Sequence, residues 1–596
     1  MRVGVIGGSV AAVFLLFVLI GSAWRALSDA RSDLLTAQSA AAAVAHDPNL
    51  LTSANGRQQL ADDLNAMRQS SDNAANAVNN SFGLSVLSYV PFVGRQVDGA
   101  TTLVNDTRTL TEQGQILLAQ LQTTTKASSA TDISIPALKT LDAQVHQSST
   151  KIANLITPAA GLWGPIRGAR TKFNTNVSYI AGLLEKGGNG LDYALPLLGA
   201  DGPKTYFVAA ENNSEMRDQG AVLSWALLHT NNGSYSIDDP QSVNTIKLEN
   251  PAPFVLPAGT QEVFGPLQPT QIWQSTNATA DFPLSGAIMS SMYTKATRGG
   301  TVDGVVGVDV VALKQLLTLT GPVAVDGIPI AVTSNNIESL VLNRLYLKVP
   351  AGDQTSRRDE LAAIASAVVR ELKGSDVDVA RLVKVLARAT QGRHLLLYDA
   401  NPAHEAVVTS FGASGSVSAV DPTGTFHLAI QSAVAAKLDY FIRSKVDYQV
   451  SVTSSGDALV STTVSITNTA PLNARPSYAL GPDHTNSFFP GQYVTRTYLW
   501  SPRGSKTPGG IDESGLVVDP TSATINPKET KVLTFQTVMP HAVRHGKLTL
   551  HFIPQGLLYA QPTTVTVTSP TQHLSGTLVK HWHTSNPETI VVNVAS

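Results

Sequence analysis

The feature that most restricts this chain is a change of hydrophobic period part-way along it. Up to about residue 186 the apolar residues recur at alternating three- and four-residue steps, and from about residue 445 they recur at every second residue. The first period is that of a helix face; the second is that of a strand with one buried side. A chain that switches between them is built from successive regions of different class, and 596 residues is length for about four domains. With 43% hydrophobic and 14% charged residues, it has ample apolar side chains to close its cores.

Ahead of the helical part, residues 3–23 read VGVIGGSVAAVFLLFVLIGSA without a single charge. About twenty such residues cross a bilayer core as a helix, so this segment is predicted to be a transmembrane helix acting as a signal anchor. A cleaved signal peptide is the alternative, because Gly21, Ser22 and Ala23 are small residues beside a plausible cut. Both readings place the remainder outside the cytoplasm, as a single-pass cell-membrane protein with its bulk extracytoplasmic. Arg2 against Arg25 and Arg31 is nearly a tie under the positive-inside rule; the short N-terminal tail and the lack of a later apolar span carry the orientation. A formal net charge of -2 gives no electrostatic ground for a nucleic-acid partner. The absence of cysteine removes disulfides, thiol nucleophiles and Cys-ligated zinc together.

Residues 26–186 are predicted to form an antiparallel helical bundle or stalk. Leu60, Leu64, Met67, Ala74 and Val78, with Ser71 in the gap, keep a heptad register; Leu103, Thr107, Leu110, Gly114, Leu117 and Leu121 repeat it, as do Leu138, Leu141, Val145, Ser148, Ile152 and Leu155. Pro and Gly between these runs, at Tyr89–Gly94 and Ile133–Pro136, fold the helices back on one another.

Residues 195–440 are expected to form an α/β domain with a central sheet. Tyr206–Ala210 and Ala221–His229 read as strands, the second ending at the turn signal Asn231-Asn232-Gly233. A strand at Val302–Asp309 leads into a helix capped by Asp309 and stopped by Gly321-Pro322. Further helices are expected after Asn335, after Ser356 and near Asp378–Thr390, with a strand at His394–Tyr398. Residues 441–596 are predicted to be one or more β-sandwich modules of immunoglobulin-like type, from alternations such as Tyr448, Val450, Val452 and Leu548, Leu550, Phe552.

No G-x-S-x-G elbow, phosphate loop, dinucleotide fingerprint or H-E-x-x-H zinc helix occurs in the sequence. His581 and His583 share a strand face but have no third ligand beside them in sequence, so no metal site is expected there. The candidate site is the polar loop from Glu211 to Gln219, where Asn212, Asn213, Glu215, Arg217 and Asp218 crowd one connection. An arginine fork among amides suits an anionic group; equally, such residues form a structural network that satisfies turn backbone. Asp303 is a second candidate, as cap or ligand. Arg357 and Arg358 are a third, because basic residues at a helix start oppose the macrodipole unless an anion sits there.

The runs NNSEMRDQGA, DFP at Asp281–Pro283, VDGVVGVDVVALKQLLTLTGPV, NNIESLVLNRLY, GRHLLLYDANP and KLDYFIRSKVDYQV together resemble the bacterial envelope family known as domain of unknown function four-thousand-and-twelve, over most of residues 195–450. The resemblance implies a single N-terminal membrane segment, a helical region and an extracytoplasmic domain of actinobacterial cell envelopes, and it implies no activity. Where members tend to carry Arg-x-x-Gly-Gly, this chain has Gly220-Ala221. A weaker similarity is to the LytR-CpsA-Psr phosphotransferases, which attach lipid-pyrophosphate-linked glycopolymer to the cell wall. It implies that arginines hold a pyrophosphate and carboxylates a divalent cation such as Mg. Gly321-Pro322 in place of Gly-Gly, and Asp359-Glu360 where Arg-Gln is usual, depart from that pattern. Two readings therefore stand: a non-catalytic, cofactor-free envelope protein that binds or scaffolds cell-wall glycopolymer or an envelope protein, and a divergent phosphotransferase.

Overall fold

The computed structural model describes residues 54–79, 88–89, 93–128, 132–325, 328–344, 379–434, 436–481 and 488–595, with a few single residues between 346 and 371. The predicted transmembrane helix at 3–23 lies outside the described residues, as do Arg357 and Arg358. Among the described residues no helix is long and apolar enough to cross a membrane. The chain divides into two compact units with its main boundary at Asp201–Gly202.

The first unit is helical: α1 (Ala54–Asn79), α2 (Val93–Ala127), α3 (Ile135–Ala153) and α4 (Gly164–Leu197). The breaks before α2 and α3 fall at the turns read from Pro and Gly, whereas the break between Ala153 and Gly164 is not marked by that reading; Ser134 accepts a hydrogen bond from the Ala137 amide to cap α3. Most of the heptad residues face inward, but in α2 Leu118 is buried in place of Leu117, and Leu121 and Leu138 are half-buried. Leu103, Val104, Ile152, Phe173 and Val177 share one core, and Leu60, Leu64 and Met67 pack with Leu118 in another. Polar seam positions are satisfied locally: the Thr107 and Thr111 hydroxyls donate to the carbonyls of Leu103 and Thr107, and Ser148 donates to Gln113 at 3.0 Å. Helix α4 runs past the expected end at 186. Pro196 in its last turn then prevents continuation, because proline has no amide hydrogen and clashes with the preceding turn.

The second unit begins with a mixed sheet. Strands β1 (Lys204–Asn212) and β2 (Ala221–Asn231) form an antiparallel hairpin, extended by β3 (Ser234–Ile237). Asn232 and Gly233 both adopt positive φ, 49° and 88°, as a two-residue hairpin turn requires. β4 (Gly304–Asp309) runs parallel to β1 with Glu211 opposite Asp309, and β5 (Leu395–Asp399) closes the edge antiparallel to β4. Helix α5 (Phe282–Ala296) covers one face: Ile288, Met289 and Met292 meet Phe207, which stacks on Trp273 with ring centroids 5.2 Å apart. Helix α6 (Val310–Thr320) is capped by Asp309 and ends at Gly321, φ 82°. The helix expected after Asn335 is one α-turn, Ile337–Ser339, followed by a π-turn, Leu340–Arg344.

Val323–Val325 and Ile328–Val332 pair as a small hairpin, and the strands from Thr425 onward form two sheets around one large core. β7 (Ile442–Val452) and β8 (Ala458–Asn468) pair antiparallel, with β11 (Thr530–Met539) beyond β8 and β13 (Gln561–Thr568) then β14 (Val579–Thr584) beyond β7. The facing sheet carries β10 (Leu516–Ile525), β9 (Tyr493–Ser501), β6 (Thr425–Ser432), β12 (Lys547–Ile553) and β15 (Glu588–Ala595) in that spatial order. Val450, Val460, Val464, Leu548, Leu550 and Val592 all lie in the shared core, on the faces that the alternation marks. β6 falls within the span expected to be α/β, yet it pairs with β9 and β12. All eight of its residues are buried, so it has no solvent face and no period-two signature.

Phe207 is fully buried amid Trp225, Trp273 and Tyr293. Phe207→Ala is expected to cost about 3–5 kcal/mol, read as a lower midpoint for the second unit in urea unfolding monitored by tryptophan fluorescence.

Candidate functional site

The loop between β1 and β2 is the most polar connection in the second unit, and it is interior. Asn213, Ser214, Asp218 and Gln219 are essentially inaccessible, and Glu211 and Asn212 are buried at the strand end. Gly220 closes the loop against the Asn212 backbone, where an added Cβ would lie 2.9 Å from a main-chain atom. One glycine therefore suffices for the close approach, and buried Ala221 starts β2.

Asp218 is the hub. One of its oxygens lies 2.6 Å from His427 Nε2 on β6, and the other accepts from Arg393 Nη2 at 2.7 Å and from Gln219. The Arg393 guanidinium also donates to the carbonyls of Ala280 and Gly415. Burial works to raise the Asp218 carboxyl, but the charges of His427 and Arg393 outweigh it and hold it below the usual carboxylate range. His427 Nδ1 faces the Ile553 carbonyl at 3.2 Å.

A second cluster surrounds the end of β4. Asp309 accepts from Asn213 Nδ2 and pairs with His394 Nδ1, both at 2.6 Å, while its other oxygen caps α6. Glu211 accepts from Asn277 Nδ2 at 2.9 Å. Burial, reinforced by Asp309, pushes the Glu211 carboxyl well above the ordinary value. Gly307 on β4 leaves room for both Glu211 and Phe282, which a Cβ would meet at 3.1 and 2.7 Å.

The outer part of the loop reaches the C-terminal sheets. Glu215 pairs with buried Lys437, whose Nζ lies 4.8 Å from the Tyr346 ring centroid. Arg217 donates to the carbonyls of Met216 and Ser432 at 3.0 and 3.1 Å, and the Gln555 side chain donates to the Arg217 carbonyl. Asp439 accepts from the Met216 amide at 3.0 Å and from the Tyr493 hydroxyl at 2.6 Å. Burial pushes its carboxyl up to about 7 against the pull of these hydrogen bonds.

Of the sequence candidates, Asn212, Asn213, Glu215 and Arg217 share this knot. Asn212 donates to the Tyr346 hydroxyl at 2.9 Å. Asp303 does not join them. It precedes β4 and holds Lys204 Nζ and the Thr205 amide at the start of β1, about 20 Å from Asp309 at ~3.3 Å per strand residue. His427, Lys437, Asp439, Arg393, His394 and Asn277 were not singled out. Arg393 and His394 lie in the run GRHLLLYDANP, and Lys437 and Asp439 in KLDYFIRSKVDYQV, so the runs that carry the family resemblance are also the ones that meet in space.

A cavity of about 210 Å³ lies beside the knot, lined by Asn213, Met216 and Asp439 from the interior and by Ile442, Leu557 and Leu558. The Asn213 Oδ1 is buried and receives no hydrogen bond. Also on its lining are Arg443 and Tyr559, with the Arg443 guanidinium 3.3 Å from the Tyr559 ring centroid.

Two outcomes test this account. Asp218→Asn leaves Arg393 buried without its counter-charge, and is expected to cost about 3–5 kcal/mol in denaturant unfolding. For Asp439 the folded value of about 7 lies above the unfolded carboxyl value of roughly 3.9. Its contribution therefore falls as pH rises through that window and is flat above it. Asp439→Asn removes this slope, so the variant's Tm should gain on the wild type as pH is raised from about 4.5 to 7.5; parallel Tm curves would show that Asp439 does not titrate there.

Residues 201–346 match the family model described as "Protein of unknown function (DUF4012)". The resemblance drawn from the sequence runs therefore holds over that span. No curated protein and no solved structure matches the chain.

Proposed function

Taking residues 201–346 as a member of that family of unknown function, we propose that the protein is a non-catalytic, membrane-anchored envelope protein that binds cell-wall glycopolymer outside the cell membrane. The observation that carries this reading is the internal neutralisation of the family-like loop. Asp218 is matched by His427 and Arg393, Glu215 by Lys437, and Arg217 is turned onto two main-chain carbonyls. Phosphoryl transfer needs cationic groups aimed at the reacting phosphate, and in this loop they are aimed at the protein itself. The phosphotransferase alternative would require Arg357 and Arg358 to face Arg217, and both lie outside the described residues.

Binding is supported by the cavity. Its volume, about 210 Å³, is below the ~300 Å³ at which drug-sized ligands are enclosed, so it suits one pendant group of a polymer. The Arg443 guanidinium, stacked on the Tyr559 ring, is a usual partner of an anionic substituent. The anchor rests on the uncharged run at 3–23. We read the two C-terminal sheets as an immunoglobulin-like sandwich because they are mostly antiparallel and close on one core.

The test uses the full-length chain. It should fractionate with membranes, lose that association when residues 1–25 are removed, and co-sediment with isolated wall sacculi. Arg443→Ala combined with Tyr559→Ala should weaken co-sedimentation at least about tenfold, the cost of one buried contact of ~1.4 kcal/mol, without changing Tm. Transfer of glycopolymer from a lipid pyrophosphate to the wall by the purified protein, abolished by Arg217→Ala in a folded variant, would overturn the non-catalytic reading.

A further inference from the structure

The helical unit carries a group of side chains that the binding function does not use. Asp142 and His146 stand four residues apart on α3, so they share one helix face. Asp192 on α4 reaches the same point. His146 Nε2 is 3.4 Å from Asp142 Oδ1 and 3.2 Å from Asp192 Oδ2, and the three donor atoms lie within 4.8 Å of one another.

As a set of hydrogen bonds this arrangement is incomplete. The single Nε2 hydrogen can serve Asp192, and the Asp142 Oδ1, a buried atom, is then left without a donor. As a set of metal ligands it is well proportioned. Zinc bonds of ~2.0–2.2 Å to imidazole nitrogen and carboxylate oxygen place neighbouring tetrahedral ligands about 3.3–3.6 Å apart, which is close to both separations from Nε2.

An independent feature holds the imidazole in position. Gly188 lies on α4 one turn before Asp192, and a Cβ there would sit 2.8 Å from His146 Cε1 and 3.0 Å from Nε2. The ring therefore rests against bare helix backbone. Glycine inside a helix costs about 1 kcal/mol relative to alanine, and here any side chain would displace the ring from both carboxylates.

We propose that Asp142, His146 and Asp192 bind a divalent first-row transition ion of the zinc class, with solvent completing the coordination. One imidazole with two carboxylates favours such an ion over magnesium or calcium, which prefer all-oxygen shells. The two carboxylates neutralise the charge of the ion, and the bond set joins α3 to α4. This site is independent of the glycopolymer reading, since it lies wholly in the first unit.

The full-length protein, stripped with a chelator, would be titrated with Co²⁺ and then with Zn²⁺ in competition. Expected are visible d–d bands saturating at one ion per chain, displaced by Zn²⁺ but not by a hundredfold excess of Mg²⁺. His146→Gln and Asp192→Asn should each lower the affinity at least tenfold, while a control with His581→Gln and His583→Gln should match the wild type. Far-UV circular dichroism of the metal-free variants establishes that the helices persist. If the bands are unchanged in the folded His146→Gln protein, or vanish in the His581/His583 control, the proposal is overturned; so too if no Co²⁺ binds at micromolar concentrations.

Discussion

The second unit depends on the charge of Asp218. That carboxylate is fully buried, and it remains ionised because His427 on β6 and Arg393 just before β5 converge on it. An uncompensated charge at such depth would be neutralised or expelled. The hairpin loop, the edge of the first sheet and the second strand system are therefore mutually necessary. None of the three can be withdrawn without leaving a charge of one sign inside apolar protein.

The same interior treats its carboxyl groups in opposite ways, according to partner. Asp218 meets His427 and Arg393 and its carboxyl is held down; Glu211, nearby, meets the Asn277 amide and the field of Asp309, and its carboxyl is pushed up. Asp439 meets a phenol hydroxyl and an amide hydrogen, partners that favour the charged form only enough to leave it poised near neutrality. Burial is common to all three, so it is the donors that separate them.

How much of this could be read from the sequence follows from the same physics. The heptad residues Leu60, Leu64, Leu103 and Ile152, the hairpin turn at Asn232-Gly233, the Asp309 cap and the inward faces of β7, β8 and β12 were legible because each is set by short-range spacing. β6 was not legible, since burial on both faces erases alternation. The loop was recognisable as a site by composition, but its meaning was not. Composition points Arg217 at an anion or at a network within the loop, whereas Glu215 takes Lys437 and Arg217 takes the Ser432 carbonyl. Those partners lie more than two hundred residues on, beyond any pattern of local spacing. The zinc-class group was missed for a related reason: Asp142 and His146 look like an ordinary helix pair until Asp192 arrives from the next helix.

The loop's long reach also bears on the order in which the chain can mature. The Arg217 carbonyl waits for Gln555, 338 residues later, and at the ~5–20 residues per second of synthesis that is an interval of roughly 17 to 70 seconds. Throughout it, β1 and β2 can pair as a hairpin while the polar connection between them has water as its only complete set of partners. The motif is thus a closing element: the polar loop of this unit gains its full set of partners only when Gln555 and Gly556 have emerged.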